Sequence, residues 1–216
     1  KLPALAGTLE ALAQAGLQDF YHGDIAHSLS QELERAGSPL RREDFDRHRS
    51  MEVIPLSLDV AGHRIFNLPP PTQGIASLIL LGIFERLKIT EAEGFEFSHG
   101  IIEATKRAFK IRDRHVCDPA FMTSKIERFL TSEVLDELMS SIDMTRAAPW
   151  PDATTGGDTV WLGAIDSKGR AVSFIQSVYW EFGSGLVLPQ TGITWQNRGT
   201  SFSLDPAHHN CLHPHK

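Results

Sequence analysis

An α+β fold is predicted by three observations on the sequence. Apolar residues recur at helical spacing through the first two thirds of the chain, the pattern turns to a strand-like period after position 159, and a proline- and glycine-rich stretch separates the two. At 216 residues and 41% hydrophobic content, the chain can bury a core as one domain.

The elements follow in order. Leu5, Leu9, Leu12 and Ala13 predict a first helix stopped by Gly16, and Asp24 is the expected cap of a second, through Leu29 and Leu33, closed by Gly37. The charged run Arg41 to Arg49 reads as a short exposed helix. Val53 to Val60 and Arg64 to Asn67 flank Ala61-Gly62-His63 as a hairpin, and three prolines then end the strand. Gln73 to Leu87 is apolar nearly all round, the mark of a buried helix. Ser98 to Arg114 is a second long helix with Ile101, Ile102, Ala104, Ala108 and Phe109 inward and Arg107, Lys110, Arg112 and Arg114 on a solvated face. Ile126 to Ile142 is expected as a third, and Arg146 to Gly157 as an exposed linker. Beyond it, Val160 to Ile165 is a mostly apolar strand suited to burial on both faces. Asp166 to Gly169 turns the chain, Ala171 to Tyr179 returns as the partner strand, and Ile193 to Asn197 supplies a third.

Composition narrows the functional classes. A formal net charge of −6 argues against a nucleic-acid partner, whose affinity comes largely from clustered Lys and Arg. The longest apolar run, Ile75 to Phe84, is too short to cross a bilayer, so no membrane partner is expected. Lys1-Leu2-Pro3-Ala4-Leu5 lacks the layout of a secretory signal, and Cys117 and Cys211 are too few for a disulfide framework. A cytoplasmic location is expected, or a periplasmic one if a longer precursor carries a signal. His208, His209, Cys211, His213 and His215 are dense enough to raise a metal site, but their spacing fits no closed four-ligand module. A polar loop is the better reading, with a turn at Asp205-Pro206 and no metal or cofactor expected.

The chemistry concentrates at Gly156-Gly157-Asp158-Thr159, where the linker meets the strand. A threonine hydroxyl placed there can attack its own preceding peptide bond, and the α-amine so released then serves as base for that hydroxyl. Threonine is also an ordinary first residue of a strand, so the junction alone leaves both readings open. Longer matches surround it. Thr159 to Asp166, Ser167-Lys168-Gly169, Arg170 to Ser177 and Phe182-Gly183-Ser184-Gly185 resemble the start of the small subunit of the gamma-glutamyltranspeptidase family. Upstream, Phe20-Tyr21-His22-Gly23-Asp24-Ile25-Ala26, Pro69 to Gly74, and Glu103-Ala104 through Arg112-Asp113-Arg114 to Asp118-Pro119-Ala120-Phe121 resemble the C-terminal half of its large subunit, in the same order.

The resemblance implies the four-layer αββα sandwich of N-terminal nucleophile hydrolases, incomplete in this chain, with residues 1–158 large-subunit-like and 159–216 small-subunit-like within one structural domain. It implies autocleavage between Asp158 and Thr159, Thr159 as nucleophile and Ser177 as the hydroxyl that orients it. Two departures bear on substrate. Where the glutamyl transferases carry an asparagine this chain has Tyr179, and where they hold the substrate ammonium group it has Arg198 and Ser201. A guanidinium favours a carboxylate over an ammonium group. Tyr179, Arg198 and Ser201 are therefore expected to bind an acyl group bearing a second carboxylate, as in oxamate amidohydrolases and glutaryl-type cephalosporin acylases. The expected partners are a small-molecule amide and the remainder of the chain's own precursor, because the family continues past the equivalent of Pro214 into its oxyanion-hole segment. A glutamyl transferase or hydrolase acting on glutathione, or an unprocessed noncatalytic piece, stands as the alternative.

Overall fold

The computed structural model describes residues 1–150 and 159–213. They group into two compact units, residues 1–51 with 159–201 and residues 52–150 with 202–213. Residues on both sides of the expected boundary at 158/159 thus share a unit, the first 51 with 159–201.

The first unit opens with α1 (Pro3–Ala15), α2 (Asp19–His22), α3 (Asp24–Arg35) and α4 (Arg42–Arg47). The expected cap of α3 shifts: Asp24 is already its first residue, and the Asp19 carboxylate accepts from the N–H groups of Asp24 (3.2 Å) and Ile25 (3.1 Å). Gly23 makes this possible, since a Cβ there would lie 1.6 Å from Asp19 Oδ1. At the other end Gly37 N–H donates to Glu34 O and Ser38 N–H to Leu33 O, the paired bonds that satisfy the last carbonyls of a helix. Ile25, Ala26, Leu29, Leu33, Phe45 and Leu188 form the core here, so the charged α4 keeps one apolar anchor.

A buried carboxylate ties in the loop after residue 188. Glu32 accepts from Gln190 N–H (2.7 Å) and Thr191 Oγ (3.2 Å), while Thr8 Oγ donates to Thr191 O (2.8 Å). This anchoring fixes the approach to residues 195–198. The expected third strand at Ile193 to Asn197 does not form. Its segment pairs with its own upstream neighbour, through Leu188 N–H to Ile193 O and Trp195 N–H to Leu186 O, because Leu188 and Trp195 are drawn onto the helical core.

Residues 160–176, a hairpin, belong to the same unit. The second unit begins with the hairpin of β1 (Leu56–Val60) and β2 (His63–Asn67), turned by Ala61 and Gly62, both at positive φ as a two-residue turn requires. Helices α5 (Gly74–Arg86), α6 (Phe95–His115) and α7 (Ser132–Ser140) follow. Ile75, Leu78, Ile79, Ile83, Ala104, Ala108 and Leu135 are fully or almost fully buried in one cluster, as the all-round apolar pattern of α5 predicts. The expected third helix divides at Thr131. Ile126–Leu130 is a 3-10 helix, whose three-residue turn sets Ile126 and Phe129 on one face, both buried. Arg107 also departs from expectation. It leaves the solvated face to pair, together with Lys106 (Nζ to Oε1, 2.6 Å), with the buried Glu103.

Between β3 (Val160–Ile165) and β4 (Ala171–Gln176) the chain turns on Asp166, whose carboxylate accepts from the N–H groups of Lys168 and Arg170 and from the Arg170 guanidinium. Every residue of both strands is exposed, contrary to the expectation of burial on both faces. The apolar pattern is present, but within this chain nothing covers it among the described residues.

Candidate active site

The hairpin register builds the site. Val160 pairs with Gln176 and Ile165 with Ala171, so one further step places Thr159 opposite Ser177. Thr159 Oγ donates to Ser177 Oγ at 2.9 Å. Opposed residues of an antiparallel pair stand close enough for small side chains to touch, and two hydroxyls suffice. Thr159 is exposed and Ser177 half-buried, so the threonine hydroxyl is open to solvent while its partner is held.

Ser177 is fixed from its other side by the backbone. Tyr179 N–H donates to Ser177 Oγ at 2.9 Å. To do so Tyr179 takes φ +82°, a left-handed conformation that a bulky L residue adopts only at a cost of about 1–3 kcal/mol. Its ring lies under the Arg198 guanidinium, with Cζ 4.9 Å from the ring centre. At an exposed position such a contact contributes about 0.5–1 kcal/mol. Arg198 makes no ion pair among the described residues, which leaves its charge available to a ligand.

Residues not expected to belong to the site lace its two halves together. Asn197 N–H donates to Val178 O (3.2 Å) and its side-chain oxygen accepts from Trp180 N–H (3.2 Å). Ser184 donates from both N–H and Oγ to Trp195 O, each at 2.9 Å. Gly183, at φ +58°, allows this close approach, since a Cβ on it would stand 2.4 Å from Trp195 O. Arg198 N–H donates to the Gln196 side chain. The signal available in the sequence was Gly183-Ser184-Gly185, whose glycines mark a place where backbone meets backbone.

Four of the expected residues, Thr159, Ser177, Tyr179 and Arg198, are therefore joined in one chain of contacts. Ser201 belongs to the same 3-10 turn as Arg198 and donates to its carbonyl oxygen at 2.6 Å, so this hydroxyl helps shape the turn that carries the guanidinium. Asp158, the other partner of the expected scissile bond, lies outside the described residues, as do Gly156, Gly157 and His215. Among the described residues no group of His, Cys, Asp and Glu is arranged to hold a metal ion. No helix among them is long and apolar enough to cross a membrane.

The fold is α+β and, by its likeness to solved structures, of the N-terminal nucleophile hydrolase type. The structure resembles that of a cephalosporin acylase from Bacillus halodurans with a TM-score of 0.85 at 36% identity, covering 98% of this chain and 39% of that one. The family model for gamma-glutamyltranspeptidase matches residues 1–216, and the chain belongs to that family. It is 50% identical over 214 residues to an oxamate amidohydrolase proenzyme of Klebsiella pneumoniae subsp. pneumoniae, covering 99% of this chain and 40% of the relative. It is 40% identical to a glutathione hydrolase-like proenzyme, YwrD, of Bacillus subtilis, covering 98% of this chain and 41% of the relative. The chain thus spans about two fifths of the length of these relatives.

Proposed function

We propose that this chain carries the nucleophile and part of the acyl-group site of an autoprocessing amidohydrolase that hydrolyses short acidic monoamides. The observation that carries the proposal is the Thr159 to Ser177 hydroxyl contact at 2.9 Å, built by strand register at the linker-to-strand junction. Thr159 Oγ attacks the carbonyl carbon of Asp158, the peptide C–N bond breaks, and the nitrogen keeps the electron pair and gains a proton as the new α-amine. Water then hydrolyses the resulting ester, leaving a carboxylate at 158 and a free Thr159.

An α-amine titrates at roughly 7.7 to 8.0, so near neutral pH a useful fraction is unprotonated and can take the proton of its own hydroxyl. The same oxygen next attacks the substrate amide, the amine product leaves, and water returns the acyl group as an acid. Ser177 holds the nucleophile by a hydrogen bond whose own geometry is set by Tyr179 N–H. Arg198 supports an acyl group with a second carboxylate, and the proenzyme relative that acts on oxamate, by its name, supports the same class. The glutathione hydrolase-like relative favours a γ-glutamyl acyl group as the second reading. The partner in either case is the remainder of the same gene product.

Denaturing intact mass of the full gene product after incubation near pH 7.5 is the test. Two species summing to the whole plus one water are expected, with a single uncut species for Thr159→Ala. Equal cleavage in both would remove Thr159 from the mechanism. Hydrolysis of oxamate and glutaryl amides in preference to γ-glutamyl amides is expected of the cleaved form, and the opposite preference supports the second reading.

A further inference from the structure

We propose that Tyr179 is the positioning residue that sets acyl-group selectivity, by seating the Arg198 guanidinium at a fixed place relative to the Thr159–Ser177 pair. This rests on the Thr159 reading and deepens it: the ligand class is a short acyl group whose far end is a carboxylate. Among the described residues four non-glycine residues take positive φ, and three have local reasons. Ala61 forms a hairpin turn, Lys88 follows the end of α5, and Glu93 leads into α6. Tyr179 alone of the four has an aromatic ring and lies between two site residues. Its N–H reaches Ser177 Oγ and its ring reaches Arg198, so one residue fixes both the nucleophile's partner and the cation.

Both contacts depend on that conformation. At an ordinary negative φ the N–H and the side chain would point differently relative to one another, and one of the two contacts would be lost. The bonds of Asn197 to Val178 and Trp180 brace the backbone on either side, which is what holds a strained residue in place. Arg198 is otherwise a long exposed side chain, and a flexible guanidinium binds a carboxylate less tightly than one already oriented.

The test uses the full gene product with Tyr179→Leu and Tyr179→Phe. Leucine keeps a bulky side chain and the backbone N–H but removes the π face, and phenylalanine restores it. Kinetics on a glutaryl anilide and on the valeryl anilide, which has the same chain without the carboxylate, separate positioning from general damage. For Tyr179→Leu, KM for the glutaryl substrate is expected to rise about two- to fivefold with the effect on KM rather than kcat. The valeryl substrate is expected to lose nothing comparable, and Tyr179→Phe to restore the glutaryl KM. Equal losses on both substrates, or failure of phenylalanine to restore, overturn the proposal. The Arg198 side-chain NMR resonance gives a second readout that needs no turnover: a ring-current shift present in the parent and in Tyr179→Phe and absent in Tyr179→Leu. An unshifted resonance in all three overturns the seat, whereas a shifted one beside an enzyme inert towards acidic amides faults only the proposed acyl class.

Discussion

Helix α5 and the β3–β4 hairpin are comparably apolar, yet they end in opposite environments. Ile75, Leu78, Ile79 and Ile83 are wholly buried against α6, α7 and the β1–β2 hairpin, whereas Trp161 is 63% and Ile175 64% exposed. The difference teaches that an apolar pattern states a demand for burial but not who meets it. Helix α5 finds its partners within residues 52–150. The hairpin carries Ser177 and the proposed nucleophile Thr159 at its end, on an apolar surface for which the described residues supply no cover, in a chain that spans two fifths of its relatives.

The helical side also stores its charge differently. Glu103 is wholly buried, held by Lys106, Arg107 and Ala148 N–H, while Lys106 also donates to Ala148 O (2.7 Å) and Arg107 to Ser141 O (2.7 Å). The network fastens the segment after α7 to α6. Burial pushes the Glu103 carboxyl up, but the bonds from Lys106, Arg107 and Ala148 outweigh it and hold the group below its ordinary value. The charges near the hydroxyl pair have no such enclosure.

The largest effect that would break this comparison is on Glu103. Removing the carboxylate leaves two cations without their partner, and Glu103→Ala is expected to cost about 3–5 kcal/mol in urea unfolding. A depressed carboxyl in the folded state stabilises above the unfolded value of the group and loses that stabilisation as pH falls through the folded value. Parent stability is therefore expected to drop on acidification below about pH 4, and the Glu103→Ala variant to lose less over the same range. A variant as stable as the parent would show the network to be incidental.

Next comes the apolar contrast itself. Ile79→Ala is expected to cost about 2–5 kcal/mol, by loss of transfer energy and a residual cavity. Ile175→Ser, on the exposed hairpin, is expected to stay within about 0.5 kcal/mol in the 216-residue chain. The same substitution in the full gene product sharpens the comparison: a much larger loss there means that residues outside this chain cover the hairpin, and an unchanged small loss means that the surface stays open.

The elements with strong local signals were legible in the sequence. The glycine stops at Gly16 and Gly37, the Ala61-Gly62 turn, helix α5 and the Asp166 turn form as the residues dictate, because backbone sterics and helical spacing act within a few positions. The cap of α3 passed from Asp24 to Asp19 because Gly23 lets the Asp19 carboxylate reach the first N–H groups, and the helix at Ile126 divided where a 3-10 turn buries Ile126 and Phe129 together. The nucleophile pair was partly legible. Thr159 and Ser177 could be named from sequence, but the turn read at Asp166 to Gly169 does not fix their pairing; the observed Ile165–Ala171 register is what sets them opposite one another.

What the sequence determined by itself is the class of chain, through its resemblance to a family, and the helices and turns, which residue type and short-range spacing settle. What only the tertiary structure decided is how particular residues meet: the strained Tyr179, the guanidinium over its ring, the Asn197 bracing and the buried Glu103 network. Each joins positions distant in the chain or a backbone conformation that residue type disfavours. Such contacts are selected by packing free energy, to which no local pattern gives access.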